Sequence, residues 1–362
     1  MEITLLIDSL GFGGAQRQIA NLAVALKQKG HKINFLQYRK DNFYASILQK
    51  AEIVPVVIDS TNFINRALQI RKAIRSLEQD VVIAFLGMPS FYACVASCGF
   101  RKWKLITSER NANVTTFTST KQKLLKRFQL HCSDMIVNNS KCAQGLWAKY
   151  VPKSKDKLTT IYNIIDVPNQ EATPAEDGIS RILVAGRYEE QKNLLGMIAG
   201  VNLLSEEERN KLEIHWYGKA NVSNAASSIF ARGCDLIRAN HLEHCVFLHP
   251  ATDQIHDLMA QSDYVALFSH FEGLPNAIIE GMSLKRPVIM SKVSDYQVLV
   301  DERNGFVCDP SSTQDIAKAI EAAIHTTYEQ RNVMGQQSCD RIQSICSREV
   351  VVEQWLRLIE DQ

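Results

Sequence analysis

Hydrophobic positions along the chain follow two alternating patterns. Short apolar runs bounded by turn residues read as buried strands, and apolar side chains spaced three and four apart read as helices. Residues 3–7 form the first run and end at Asp8. A glycine-rich turn, Ser9-Leu10-Gly11-Phe12-Gly13-Gly14-Ala15, then opens a helical pattern with Ile19, Leu22, Ala23 and Leu26 on one face and Gly30 as its stop. Runs at 33–36, 54–58, 81–85, 105–107 and 135–137 read as further strands, with a helix over 62–77. A polar stretch at 170–178 has the composition of a linker. The alternation then restarts, with strands at 181–185, 212–216, 246–248, 264–268 and 287–290 and a helix at 193–204.

Strands alternating with helices predict parallel sheets covered on both faces. The fold class is α/β, with two doubly wound domains in tandem, 1–168 and 169–345, and a seam near Pro168. The length agrees, because 362 residues exceed the roughly 250–300 at which a single core stops growing. The last segment, 346–362, places Val350, Val351, Trp355, Leu358 and Ile359 at helical spacing. It either finishes the second domain or crosses back to the first.

Composition narrows the function classes. With 46% hydrophobic and 22% charged residues, the chain is neither disordered nor fibrous. No apolar run approaches the roughly 18 residues of a spanning helix, and the N-terminus lacks the basic region and cleavage site of a signal peptide. Nine cysteines without paired zinc-site spacing predict reduced thiols and a cytoplasmic location. The net charge of +2 conceals a division: residues 1–168 carry 24 basic and 11 acidic residues, the remainder 17 and 28. A basic half suggests an anionic partner. The competing explanation is two domains whose charges differ or attract one another. Basic residues cluster at Arg66/Arg71/Lys72/Arg75, Arg101/Lys102/Lys104, Lys121/Lys123/Lys126/Arg127 and Lys153/Lys155/Lys157. Over 117–130 they mix with Phe117, Leu124, Leu125 and Phe128, as in a basic amphipathic segment on anionic lipid. Nucleic acid is not expected, since the charge is spread over several elements and no binding motif appears.

Candidate chemistry sits in turns after strands, where open α/β sheets take ligands. At Gly11–Gly14 the glycines let the backbone approach a ligand, the helix end favours anions, and Arg17 adds charge. The spacing is not a dinucleotide fingerprint, and a tight strand–helix turn is the bland reading. At Gly186-Arg187 to Lys192-Asn193, two cations five apart can hold both oxygens of a diphosphate and neutralise a leaving group, with Asn193 as the cap of the next helix. Solvated surface charges are the alternative. At Glu272-Gly273-Leu274-Pro275-Asn276 and on to Glu280, turn amides suit a phosphate, Glu280 can accept from a ribose diol, and Glu272 from sugar hydroxyls. Carboxylates bracketing an anion-binding turn fit a nucleotide-sugar better than a bare nucleotide; otherwise they are ordinary surface glutamates. Glu109, at a strand's carboxyl end, is a candidate acceptor contact, a helix cap or a salt-bridge partner.

Together these motifs resemble the retaining glycosyltransferases of the family 4 group. Glu272 to Glu280 is similar to that family's E-x7-E motif, Gly-Gly-Ala-Gln-Arg at 13–17 to its N-terminal glycine loop, and residues 161–166 to its strand-end motif before the interdomain linker. Gly186-Arg187 with Lys192-Asn193 is similar to its phosphate pair, and Gly305-Phe306-Val307 to its C-terminal turn. The resemblance implies the GT-B fold, two Rossmann-like domains facing across a cleft. It implies donor binding by Gly13, Gly14, Gly186, Asn193, Gly273, Leu274, Pro275, Asn276 and Glu280, and catalysis by Glu272, Arg187 and Lys192. Arg17, Glu109 and Arg110 would contact the acceptor, Ser108-Glu109-Arg110-Asn111 being similar to the subset acting on lipid-linked and capsular saccharides. No cofactor or metal is implied. Two departures stand out: Phe85-Leu86-Gly87 lacks the histidine many relatives carry there, and His249-Pro250 replaces a frequent glycine.

The expectation is transfer of a hexose or N-acetylhexosamine from a UDP-sugar to a lipid-linked or cell-envelope saccharide, with peripheral attachment to the inner face of the membrane. A UDP-sugar 2-epimerase of similar fold and a non-catalytic nucleotide-sugar-binding protein are the alternatives.

Overall fold

The computed structural model describes residues 1–60, 62–110, 114–166, 174, 176–219 and 228–361. The chain divides into two compact units. One joins Met1–Ile164 to Arg348–Gln362, and the other is Ile165–Ser347. The seam near Pro168 and much of the stretch 170–178 lie outside the described residues; the division itself falls at Ile164/Ile165.

Unit 1 contains β1 (Glu2–Ile7), β2 (Lys32–Gln37), β3 (Pro55–Val57), β4 (Val81–Phe85), β5 (Lys104–Glu109), β6 (Met135–Asn138) and β7 (Leu158–Thr160). They pair in parallel in the order β3-β2-β1-β4-β5-β6-β7. Successive side chains of a strand point to opposite faces, so one strand feeds two cores. Val81, Ile83 and Phe85 of β4 join a core with the helix Gly14–Gln28, while Val82 and Ala84 join another with the helices Phe63–Arg75 and Gly87–Ser97. The first core also takes Val351, Val352, Trp355 and Ile359 from the helix Arg348–Glu360. Trp355 is 2% exposed and stacks on Phe85, ring centroids 5.9 Å apart. The C-terminal segment therefore belongs to unit 1, and each of those buried side chains contributes about 1.5–3 kcal/mol.

Unit 2 contains β8 (Ser180–Ala185), β9 (Leu212–Gly218), β10 (Val246–Pro250), β11 (Tyr264–Leu267), β12 (Val288–Ser291) and β13 (Gly305–Cys308). Their parallel order is β10-β9-β8-β11-β12-β13. Two strands, β7 and β13, were not apparent in the periodicity. Residues 305–307, read above as a turn, are an edge strand in register with Val288, Ile289 and Met290. A four-residue edge strand lacks the apolar run that signals a buried one. At Gly305 a Cβ would lie 2.2 Å from the Val288 carbonyl oxygen, so only glycine fits.

In both sheets the chain reverses its direction of winding beside the first strand. β1 lies between β2 and β4, and β8 between β9 and β11. The carboxyl ends of β1/β4 and of β8/β11 are therefore topological switch points, the places where such sheets accept ligands.

Candidate functional site

The switch point of unit 2 brings two candidate segments together. After β8 the chain passes through Gly186 and Arg187 into a single 3-10 turn, Glu190–Lys192. After β11 it passes through 268–275 into the helix Asn276–Ser283. The segments are bonded to each other at four places. The His270 amide donates to the Gln191 carbonyl at 2.9 Å, and Gln191 Nε2 donates to the Phe271 carbonyl at 2.7 Å. Asn193 Nδ2 donates to the Phe268 carbonyl at 3.1 Å and to the Pro310 carbonyl at 2.8 Å. Lys192 Nζ meets Glu272 Oε1 at 2.5 Å, with the two side chains 17% and 11% exposed.

This geometry sorts the predicted residues. Lys192 and Glu272, eighty positions apart, form one charged pair at the switch point. Arg187 is exposed and pairs instead with Glu189 at 3.0 Å. Asn193 stands at the cap position of the helix Leu194–Asn202 in a left-handed conformation, φ 62°, but its side chain makes no cap. Its side chain is a brace between loops, so its reading as a capping side chain is corrected. Gly186 likewise has its backbone occupied: its amide donates to the Tyr217 carbonyl at 3.0 Å and its carbonyl accepts from Trp216 Nε1 at 2.8 Å. Gly273, Leu274 and Pro275 are buried in the turn, and the Gly273 carbonyl accepts from Ser294 Oγ. Asn276 is the first residue of the helix Asn276–Ser283, which the loop 268–275 joins to the carboxyl end of β11.

Glu280 lies one turn into that helix and is 7% exposed. Its neighbour Gly281 lets the helix press onto β11, since a Cβ there would lie 2.5 Å from Val265 Cβ. The Glu280 carboxylate meets His256 Nε2 at 3.2 Å, from the helix Ile255–Gln261. At the adjacent strand ends, Tyr188 OH donates to the Trp216 and His249 carbonyls at 2.9 and 2.7 Å, and burial raises its pKa. His249 stacks on Tyr217 at 4.4 Å and bonds His215 at 3.0 Å; burial, then the His215 charge, lowers its pKa.

In unit 1, Gly13 caps the helix Gly14–Gln28 in extended backbone, and Arg17 lies on its first turn, half-buried. The adjacent Gln18, unremarked in the sequence, exchanges two hydrogen bonds with the Ile164 backbone at 2.9 and 2.6 Å. At the end of β4, Leu86 adopts φ 76°, a conformation costing a non-glycine residue about 1–3 kcal/mol. Glu109 is not an open acceptor contact. It forms a buried ion pair with Lys126, whose ammonium also lies 4.6 Å from the Trp147 ring centroid and 5.0 Å from that of Phe117. Arg110 lies over the Phe85 ring at 3.8 Å and donates from Nη1 to Asn163 Oδ1 at 2.9 Å. Burial lowers its pKa to about 9, against the raising effect of Glu109. Asn111 lies outside the described residues.

The basic clusters divide in the same way. Arg71 and Arg75 donate to the Val95, Ala96 and Cys98 carbonyls, closing the helix Gly87–Ser97. Lys104 donates to the Leu358 and Asp361 carbonyls, and Lys157 to those of Leu130 and Ser133. Phe117 and Lys126 are core residues, which corrects their placement on a lipid-facing segment. Lys121, Lys123, Leu124 and Arg127 are exposed on the helix Thr120–Cys132. No helix among the described residues is long and apolar enough to cross a membrane. Glu208, Glu321 and His325 are the metal-capable group found among the described residues. They lie before the amino end of β9 and at the end of the helix Thr313–Ile324, not at the carboxyl strand ends that form the switch point.

Three residues escaped the sequence reading: Gln18, Gln191 and His256. Gln191 stood inside a motif already singled out; the other two carry no local signal, because their partners are 146 and 24 positions away. Lys126 was read only as part of a basic cluster, its partner lying 17 positions away.

Comparison with known proteins adds the following. Residues 12–168 match the family model described as Glycosyltransferase Family 4, and residues 179–326 the one described as Glycosyl transferases group 1. The chain is 23% identical over 341 residues to the N-acetylgalactosamine-N,N'-diacetylbacillosaminyl-diphospho-undecaprenol 4-alpha-N-acetylgalactosaminyltransferase of Campylobacter jejuni, covering 89% of this chain and 90% of that protein. It is 20% identical to a second Campylobacter jejuni enzyme, the GalNAc-alpha-(1->4)-GalNAc-alpha-(1->3)-diNAcBac-PP-undecaprenol alpha-1,4-N-acetyl-D-galactosaminyltransferase, covering 100% and 99%. Among solved structures, Anabaena HepE with UDP and glucose superposes with a TM-score of 0.83 at 17% identity, covering 99% of both chains.

Proposed function

This chain belongs to the GT-B glycosyltransferases of the family 4 group, and from that premise we propose that it is a retaining, UDP-sugar-dependent enzyme. Unit 2 binds the donor, and unit 1 binds a lipid-linked or cell-envelope saccharide. The observation that carries this reading is the contact of Lys192 with Glu272 at the switch point of unit 2. One side chain suits a diphosphate and the other suits sugar hydroxyls, and a nucleotide-sugar presents those two groups side by side.

In the proposed reaction Lys192 shifts its charge from Glu272 onto the diphosphate, and the amides at the start of the helix Asn276–Ser283 share the developing negative charge. Glu272, released, accepts hydrogen bonds from the sugar, and Glu280 accepts from the ribose. Arg187, exposed on the loop, reaches the diphosphate only by leaving Glu189. The bond from the anomeric carbon to the phosphate oxygen breaks. The acceptor oxygen bonds that carbon on the same face, and its proton passes to the departing phosphate. No metal is invoked, because cations and helix-end amides supply the charge stabilisation.

The Campylobacter jejuni relatives are named for transfer of N-acetylgalactosamine to diphospho-undecaprenol saccharides, which supports an N-acetylhexosamine donor and a lipid-linked acceptor here. HepE was solved with UDP, which supports the nucleotide. Attachment to anionic lipid would use the exposed Lys121, Lys123, Leu124 and Arg127.

The test is a panel of UDP-, GDP- and ADP-sugars, read by nucleoside diphosphate release with and without a polyprenyl-diphosphate saccharide, and repeated with EDTA. Acceptor-dependent release from a UDP-sugar, unaffected by EDTA, is expected. Lys192→Ala should lower it by roughly 10²–10³, the loss typical of one transition-state donor. Inversion at C2 without acceptor would instead identify an epimerase.

A further inference from the structure

Glu280 is a carboxylate whose side chain is only 9% exposed. A charge so far from water needs a partner, or its position and its ionisation are both poorly held. His256 supplies one, with Nε2 3.2 Å from Glu280 Oε2. The two residues come from different helices, Ile255–Gln261 and Asn276–Ser283, so the contact is tertiary. The backbone beneath Glu280 is fixed by the close approach of Gly281 to Val265. The contact with His256 Nε2 adds a constraint at Oε2 itself. The histidine side chain is 46% exposed, so it borders the site and reaches in from its rim.

We infer that His256 is a positioning residue for nucleotide recognition: the contact of its Nε2 with Oε2 sets the Glu280 carboxylate in the orientation that accepts the ribose diol. This rests on the reading of Glu280 as the ribose-binding group. The specificity it confers is for ribose hydroxyls, independent of the base and of the sugar being transferred. Losing His256 should therefore weaken nucleotides that carry the diol and leave those without it unchanged.

The experiment measures binding of UDP, GDP and ADP and of their 2′,3′-dideoxy counterparts to the wild-type chain and to Glu280→Gln, His256→Ala and His256→Gln, by calorimetry. The wild type should prefer the preferred nucleotide over its dideoxy form by about tenfold or more, the usual worth of a charge-assisted hydrogen bond. Glu280→Gln should bring that ratio close to one. His256→Ala should reduce it several-fold through weaker binding of the diol form alone, and His256→Gln, whose amide can donate to the same oxygen, should restore most of it. In turnover the His256→Ala loss should appear in the donor KM and spare kcat. If Glu280→Gln keeps the full preference, or no nucleotide binds the wild type, the ribose reading itself fails. If Glu280→Gln loses the preference while His256→Ala keeps it, the inference about His256 is overturned and the ribose reading stands. Equal weakening of both nucleotide forms in His256→Ala would also overturn it, since that marks a general structural role.

Discussion

Replacing Glu272 by glutamine should tighten the binding of free UDP while damaging transfer. In the unliganded chain Lys192 is already neutralised by Glu272, so a diphosphate must displace a carboxylate to reach it. At 2.5 Å the gross attraction is about 7 kcal/mol for an effective dielectric of about 20. Most of this is offset by the cost of drawing two charges partly out of water. With side chains 17% and 11% exposed, the pair lies between a surface bridge and a buried one, and a net worth of about 1–2 kcal/mol follows. Removing the competitor should lower the UDP dissociation constant about five- to thirtyfold, at 1.4 kcal/mol per factor of ten. Transfer should fall at least about tenfold, because an amide accepts less strongly than a carboxylate from the sugar hydroxyls. Calorimetric titration with UDP and a turnover assay on the same preparation read the two effects. UDP affinity that is unchanged, or that falls together with turnover, would refute the exchange of Lys192 between carboxylate and diphosphate.

Four further outcomes follow from the structure. Lys126→Met should cost about 3–5 kcal/mol in urea unfolding, because it strands the buried Glu109 charge, yet leave flotation with anionic liposomes unchanged. Glutamates at the exposed Lys121, Lys123 and Arg127 should abolish that flotation. Trp355→Ala should cost about 3–5 kcal/mol and raise hydrogen exchange in β1 and β4, not in β8 and β11. Asp301 has its pKa lowered to about 2, first by the hydrogen bond from Arg303 and further by Arg341. Because the folded value is depressed, its stabilisation is present above pH about 4 and lost as the pH falls through about 2. Asp301→Asn should flatten the dependence of stability on pH across that interval, measured by urea titrations at stepped pH.

The two-domain α/β organisation was legible because strands buried on both faces write continuous apolar runs, as 81–85 does, while helices show spacing such as Ile19, Leu22, Ala23 and Leu26. β7 and β13 were not, because three or four residues at a sheet edge acquire their identity from a neighbour. The candidate site was legible as residue types and order, but not as pairings. Sequence placed Arg187 beside Lys192 as a matched pair, whereas the fold turns one outward to Glu189 and the other inward to Glu272. It offered Glu109 three roles, and only the position of Lys126 among Phe117 and Trp147 decides for the ion pair. Much of the basic excess of the first half serves carbonyls at helix ends, a use that depends on which helices end near which arginine.

The return of the helix Arg348–Glu360 to unit 1 bears on how the chain is made. Translation delivers the strands of unit 1 before unit 2, and the helix that covers one of their faces after it. Unit 2 is a continuous segment and can close as soon as it is synthesised. Until Trp355 arrives, the apolar face presented by Ile3, Leu5, Ile83 and Phe85 lacks part of its cover. A product terminated at Ser347 would therefore carry an intact unit 2 beside a unit 1 open to chaperones and proteases. The helix Arg348–Glu360 thus ties completion of the unit 1 core to prior synthesis of unit 2.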